Sequence, residues 1–426
     1  MIMLFLAACQ SAEPTSPPTA EPGNLYVNPD VDLGPISPFI LGSNFGPWTS
    51  VSLDMLPYAL DTGVTVLRFP GGNWGDRNKV QTYHLDQFMG FSEQMNANVT
   101  VSVNLRDGTV EDAVQLLHYA NIEKGYEIKY WSIGNEPTLY EVELGETYDT
   151  EIFNKEWREY AEAMKAVDPD ILLMGPELHQ WGTNLENTLK DSSGRDWMTE
   201  FLKANGDLVD IVTVHRYPFY SASGEKTTIP ELRENTHEWP EMVTYLNNLI
   251  REITGRELPI AFTEVNSDPS PVINGESSPD SFFNAIWFAD VLGKMVQEKA
   301  FMINHWVLSQ RGSGHGLISG YDIRPTYYTF LMYKHFGLQQ VHTSSGIPDV
   351  NVYAALRDDG NLTIMVVNLS DAEQHFTMQI EGKIPANAQV LLLDSTHNAE
   401  DLGQQNWPED GILTLPAQSV TLYIIE

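Results

Sequence analysis

The sequence predicts a (β/α)8 TIM barrel followed by an all-β sandwich. Short β-rich runs alternate with longer helical stretches eight times in about 270 residues, the length and count of such a barrel. After about residue 337 the helical stretches cease and short strands follow one another across turns. Apolar residues make up 42% of the 426 positions, enough for a large core and more than one domain.

The barrel strands are read at 39–45 (FILGSNF), 64–72 (VTVLRFPGG), 98–105 (NVTVSVNL) and 128–136 (IKYWSIGNE). They continue at 171–178 (ILLMGPEL), 209–218 (VDIVTVHRYP), 259–267 (PIAFTEVNS) and 301–309 (FMINHWVLS). Between them, Phe153, Trp157, Tyr160, Met164 and Val167 recur at helical spacing and place one apolar stripe on a helix. Thr109 with Asp112 three residues on gives a capping-box spacing ahead of another, and 281–296 reads as a further long helix. An open doubly wound sheet is the alternative, but LGSNFG lacks G-x-G-x-x-G spacing and no Walker loop occurs, so no nucleotide site is expected.

In the C-terminal part, NVYAALRDDGNLTIMVVNLS, HFTMQIEG, AQVLLLDS and QSVTLYIIE are strand runs, and DDGN (358–361) is a hairpin turn signal. NLYVNPDVD near the N-terminus has no barrel partner and is assigned to the same sandwich. The expected organisation is therefore 24–38 as a strand joining the sandwich, 39–337 as the barrel and 338–426 as the sandwich. Ahead of these, LFLAAC resembles a bacterial lipoprotein processing site. That implies residues 1–9 are a signal remnant, Cys9 is the lipidated N-terminus, and the protein is exported as a cell-surface or periplasmic lipoprotein, or secreted. Residues 10–23, rich in Pro, Ser, Thr and Ala, read as an extended tether. With one cysteine, no intramolecular disulfide can form.

The formal net charge is −34, from 58 acidic and 24 basic residues. Nucleic acid and anionic membrane surfaces need basic patches, so both are disfavoured as partners, leaving membrane contact to a lipid at Cys9. Eleven histidines without His-x-x-x-His or comparable spacing give no expectation of a metal, and no cofactor is expected. The absence of G-x-S-x-G disfavours a serine hydrolase.

Chemistry in such barrels sits at the carboxyl ends of the strands. The first strand delivers Asn44; the second Arg68, then Gly71-Gly72-Asn73-Trp74; the third Asn104; the fourth Asn135 and Glu136. The fifth delivers Glu177, with His179 and Trp181 beyond it as a possible subsite wall; the sixth His215 and Tyr217; the seventh Glu264 and Asn266; the eighth His305 and Trp306. His315 follows in a Gly-rich loop. A lone Asn caps a turn and a lone Trp fills a core, so the conjunction carries the argument. Glu136 and Glu264 end strands that face each other across a barrel mouth. Two carboxyl groups about 5–5.5 Å apart, one acid and one nucleophile, are what a retaining glycosidase needs. Arg68 and Tyr217 could hold Glu264 ionised, and Asn135 could bind a sugar hydroxyl.

WSIGNEP together with IAFTEVN resembles the retaining glycoside hydrolases of clan GH-A, in which Asn-Glu ends the fourth strand and a second Glu ends the seventh. The resemblance implies Glu136 as acid/base and Glu264 as nucleophile, and HRYP resembles the clan's His-x-Tyr element. LRFPGGNWGD with the segments after it is most similar to the α-L-arabinofuranosidases, which share the barrel-plus-sandwich architecture. FTEVNS is closer to the Thr-Glu-x-Asn of β-xylosidase and β-glucuronidase families, and NEPTLYEVELGE is also similar to clan endoglucanases and xyloglucanases. The expected activity is exo-acting α-L-arabinofuranosidase on plant cell-wall material. The alternatives are an endo-β-glycanase, with Trp48, Trp74 and Trp181 lining an open cleft, and a non-catalytic carbohydrate-binding lipoprotein.

Overall fold

A computed structural model describes residues 18–182, 188–221, 226–382 and 384–426. Cys9 and the segment 1–17 lie outside the described residues.

Eight parallel strands close the barrel: β2 (Phe39–Asn44), β3 (Val66–Phe69), β4 (Asn98–Val103), β5 (Tyr130–Ile133), β6 (Leu172–Leu178), β7 (Ile211–Arg216), β8 (Ile260–Val265) and β9 (Met302–His305), with β9 pairing back onto β2. Each falls within one of the eight predicted runs and is one to five residues shorter. Val66, Met174, Ile211, Ala261 and Met302 plug the amino end of the barrel, with Phe39, Tyr130 and Phe301 edge-on beneath them. Polar side chains collect at the opposite end.

The outer helices follow the sequence signals. Thr150–Val167 buries Phe153, Trp157, Tyr160 and Met164, the stripe read from their spacing. Asp149 caps it by accepting from Glu151 N and Ile152 N, and the Thr109 hydroxyl accepts from Asp112 N to start Val110–Leu117. Phe282–Gln297 is buried on nearly every face, because it lies between the barrel and the C-terminal sheet.

That second layer is a single nine-stranded ladder. It comprises β1 (Leu25–Pro35), β12 (Gln339–Ser345), β13 (Val350–Leu356), β14 (Leu362–Asn368), β15 (Gln374–Ile380), β16 (Asn387–Leu393), β17 (Glu400–Asn406), β18 (Ile412–Leu415) and β19 (Ser419–Ile425). A small hairpin, β10 (Ile318–Ser319) and β11 (Asp322–Ile323), precedes it. The order is β17-β16-β19-β14-β13-β12-β1-β15-β18. Leu25, Val352, Ile364, Phe376, Val390 and Leu415 share one core, so the ends of the ladder curl over each other and enclose it as a sandwich does. β1 is an interior strand, third from one end of the ladder, antiparallel to β12 and parallel to β15. The DDGN turn joins β13 to β14, with Gly360 N bonded to Arg357 O. Of the expected tether, 18–23 is docked: Ala20 N donates to Ser344 Oγ (3.1 Å) and Gly23 N to Gly346 O (2.9 Å). Backbone pairing with the loop after β12 is available there, and a Pro/Ser/Thr-rich composition does not forbid it.

Candidate active site

Strand register places the two key carboxylates. β7 pairs with β8 so that His215 lies opposite Glu264, and Glu136 N bonds Glu177 O at the end of β5. Carboxylate oxygens of Glu136 and Glu264 and a ring nitrogen of His215 all lie within 4.8 Å of one another. Glu136 has left-handed backbone (φ 49°), as has Glu177 (φ 57°). Non-glycine residues adopt that region at a cost, and such positions cluster at functional sites. Pro137 follows Glu136 and starts the short helical turn Pro137–Leu139.

Arg68 organises the floor. Its Nη1 donates to Glu264 Oε1 (2.8 Å) and Asn44 Oδ1 (3.0 Å), and its Nη2 to Asn135 Oδ1 (2.7 Å) and Glu177 Oε2 (3.5 Å). Tyr217 Oη donates to the other oxygen of Glu264 (2.7 Å). His215 bridges, Nδ1 donating to Glu136 Oε1 (2.9 Å) and Nε2 to Glu177 Oε2 (3.0 Å). Glu177 is fully buried and also accepts from the Ser132 and Thr263 hydroxyls. It lies beneath the cleft as the counter-ion of Arg68 and His215 and supports the site from below.

The electrostatics follow from these contacts. Burial alone would raise Glu177, but Arg68, then His215 and Ser132, bring its carboxyl down to about 2. Burial alone would lower His215, but Glu264, Glu136 and Glu177 around it push it up to about 9, so it is an imidazolium at neutral pH. Glu136 and Glu264 titrate together with it. The hydrogen bond and charge of His215 outweigh burial at Glu136 and set it below the ordinary value. Burial, reinforced by the charge of Glu136, raises Glu264 against the pull of His215, Arg68 and Tyr217. Burial and Glu264 raise the Tyr217 hydroxyl well above its ordinary value, so it stays a donor.

Above the pair is a cleft of about 490 Å³ walled by Trp48, Trp74, Tyr217, Trp306 and Gln310. Trp48 and Trp306 stack with ring centroids 5.4 Å apart. Gly72 has φ 61°, and a side chain on it would run into the Trp306 indole, so the Gly71-Gly72 pair serves both the turn and the wall.

Of the residues expected at the site, Glu136, Glu264, Arg68, Asn135, His215, Tyr217, Asn44, Trp74, Glu177 and Trp306 converge on this cleft or its floor. Asn266 is buried beside the eighth strand, donating to Trp306 O (2.6 Å). Two expectations are corrected. Asn104 faces a neighbouring depression with Lys79 and Asp112, because β4 ends at Val103 and Asn104 Oδ1 accepts from Asp107 N (2.9 Å) to make the outward turn. Trp181 is no subsite wall: it is 1% exposed and stacks on Tyr245 of the flanking helix Glu238–Thr254. His315 is a packing residue, with Nε2 bonded to Asp268 O (2.8 Å). His179 meets the Thr138 hydroxyl beside Glu136, and His305 is buried against Phe288 and Phe330.

Sequence reading missed Asp76. This buried carboxylate accepts from Asn135 N (2.7 Å), Leu105 N (3.0 Å) and the Tyr140 hydroxyl, fixing the strand end that carries Glu136, and burial pushes it up to about 6. Asn73 accepts from Asn135 Nδ2 (2.8 Å) and lines the cleft.

Residues 118–315 match the family described as "Glycosyl hydrolases family 39". "Alpha-L-arabinofuranosidase C" of Emericella nidulans is 23% identical over 460 residues, covering 87% of each chain. Among solved structures, the family GH51 α-L-arabinofuranosidase of Thermotoga petrophila RKU-1 superposes with a TM-score of 0.76 at 20% identity, over 95% of this chain and 100% of that one. CelM2, described as a bifunctional glucanase-xylanase from a metagenome library, gives 0.73 at 18% identity over 95% and 99%. A closed (β/α)8 barrel that presents paired glutamates at the carboxyl ends of its fourth and seventh strands, with a glycosyl hydrolase family matched across it, defines a glycoside hydrolase. Within that class, the likenesses run to arabinofuranosidases and, in fold, to a glucanase-xylanase.

Proposed function

We propose that the chain is an exo-acting α-L-arabinofuranosidase that works by double displacement on plant cell-wall polysaccharide or its oligosaccharides. The observation that carries the mechanism is the approach of Glu136 and Glu264 oxygens to within 4.8 Å, short of the 6.5 Å or so at which an inverting pair begins. The reactive form of the pair carries one proton, on Glu136, whose Oε1 lies 2.9 Å from His215 Nδ1. A neutral Glu136 no longer contributes the negative charge that raises Glu264, which stands as the carboxylate against Arg68 and Tyr217. Glu264 then attacks the anomeric carbon while Glu136 protonates the departing glycosidic oxygen. In the second half, Glu136 takes a proton from water, the water oxygen bonds to the anomeric carbon, and Glu264 leaves, so configuration is retained. Arabinofuranoside is favoured by relatives that match along most of their length.

Glu264→Ala should lower turnover of a nitrophenyl arabinofuranoside by roughly three orders of magnitude or more, and added azide should restore part of it as the glycosyl azide. Wild-type rates in this variant would remove the nucleophile from Glu264. An endo-β-glycanase is the second reading, favoured by the three tryptophans around the cleft. Free arabinose from arabinan and arabinoxylan supports the first; oligosaccharides from xylan, xyloglucan or mixed-linkage glucan support the second. A lipid at Cys9 and export to the cell surface or periplasm are part of the proposal, supported by LFLAAC. Cys9→Ala should abolish labelling by a fatty-acid probe, and labelling retained in that variant would rule out Cys9.

A further inference from the structure

On the barrel flank, across the loop 45–51 from the catalytic cleft, lies a second groove of about 510 Å³. Its floor is the half-buried stacked pair Phe45 and Phe91, whose rings are 4.6 Å apart and 28° from parallel, with Phe69 and Phe88 buried beneath. Its rim carries Tyr83, 56% exposed, and the amides of Gln87 and Gln94 on one helix, Thr82–Met95. Among the described residues that line it, none is Asp, Glu, Lys or Arg, although the chain carries a net charge of −34. His84, the one imidazole there, is held below its ordinary value by burial. The groove is tied to the cleft by aromatic contacts. Trp74, which lines the cleft, meets His84 edge-on at 5.5 Å, and His84 packs against Tyr83 at 4.2 Å.

We propose that this groove is an auxiliary binding site for a neutral glycan chain, the polymer whose branch or end occupies the cleft. Aromatic faces take up the C–H faces of sugar rings, and uncharged amides and hydroxyls pair with sugar hydroxyls. An uncharged lining on an acidic protein leaves nothing to recognise a charged peptide or nucleic acid. Contact through Trp74, His84 and Tyr83 lets one chain run from the groove to the cleft wall. The proposal deepens the glycosidase reading and rests on it for the direction of the chain. Groove binding can be measured whether or not turnover occurs.

The test compares the full chain with Tyr83→Ala and Gln87→Ala, both at exposed positions outside the cleft. Affinity electrophoresis through soluble arabinoxylan or xyloglucan reads binding, and kinetics on polymer and on a nitrophenyl arabinofuranoside read catalysis. The expected result is retardation of the wild type by a neutral polymer, lost in the variants, with KM on polymer raised about five- to tenfold. Rates on the nitrophenyl substrate should be unchanged. Retardation and polymer KM equal in wild type and both variants would overturn the groove. So would a wild type that no neutral polymer retards. A wild type that hydrolyses no glycoside but is retarded, with the variants released, would sink the catalytic reading and leave the groove standing.

Discussion

Glu177 never reaches the cleft, yet the charges of Arg68 and His215 both lean on it. Glu177→Gln leaves those buried cations with less compensation, which destabilises by about 3–5 kcal/mol where a buried pair is broken. It also removes one of the carboxylates that hold His215 near 9, so the alkaline limb of the pH–rate profile should move to lower pH. The wild type has its own pH signature. His215 keeps its proton to about 9 against the 6.5 of an unperturbed imidazole. Its stabilisation is therefore complete below about pH 6.5 and is lost as pH rises toward 9. Glu177 acts in the opposite sense: lowered from 4.5 to about 2, it stabilises above pH 4.5 and ceases to as pH falls toward 2. Calorimetry from pH 2 to 10 should show Tm falling at both ends, and a flat profile would contradict the network. Glu136, Glu264, Arg68 and Tyr217 were legible because each is a polar residue at or just past the carboxyl end of an apolar strand run. Asp76 was not, because its helix, Trp74–Arg77, has four residues and is too short to show a period.

The helix Phe282–Gln297 shows what a linear pattern reveals and what it hides. Its apolar run announced a helix of the right length. Nothing in the run says that both faces are covered, by barrel helices on one side and by β13, β14 and β19 on the other. Polar residues at the seam carry that information. Asp290, fully buried, accepts from Tyr353 Oη (2.6 Å) and Asn351 Nδ2 (2.8 Å) of β13, and Lys294 Nζ reaches Thr236 O (2.9 Å). Gly293 lets the Tyr353 ring lie against the helix, and a methyl there would overlap that ring. Gly293→Ala should destabilise the protein by about 1–3 kcal/mol, the usual cost of overpacking, seen as a lower guanidinium midpoint. An unchanged midpoint would mean the seam can open locally to admit it. The barrel strands were legible for a different reason: strands buried on both faces read as apolar runs, whichever neighbours they acquire.

At the scale of the molecule, the orphan run NLYVNPDVD pointed to the sandwich because no barrel strand needed it. Its place in the ladder could not be read, since pairing between positions hundreds of residues apart leaves no local trace. Leu25 pairs with Ser345 on one side and Met378 on the other, so deleting residues through 35 would bare the edges of β12 and β15 together. The truncated chain should aggregate or elute as larger species in size-exclusion chromatography, and a well-behaved monomer would show that the ladder closes without β1. The same arrangement sets a timetable for synthesis. β1 leaves the ribosome before the barrel and its bonding neighbours β12 and β15 leave after it, so the barrel between them is made while its companion sheet is still incomplete. A nascent chain of this kind must keep an adhesive stretch waiting through most of translation, and slower elongation should cost it yield.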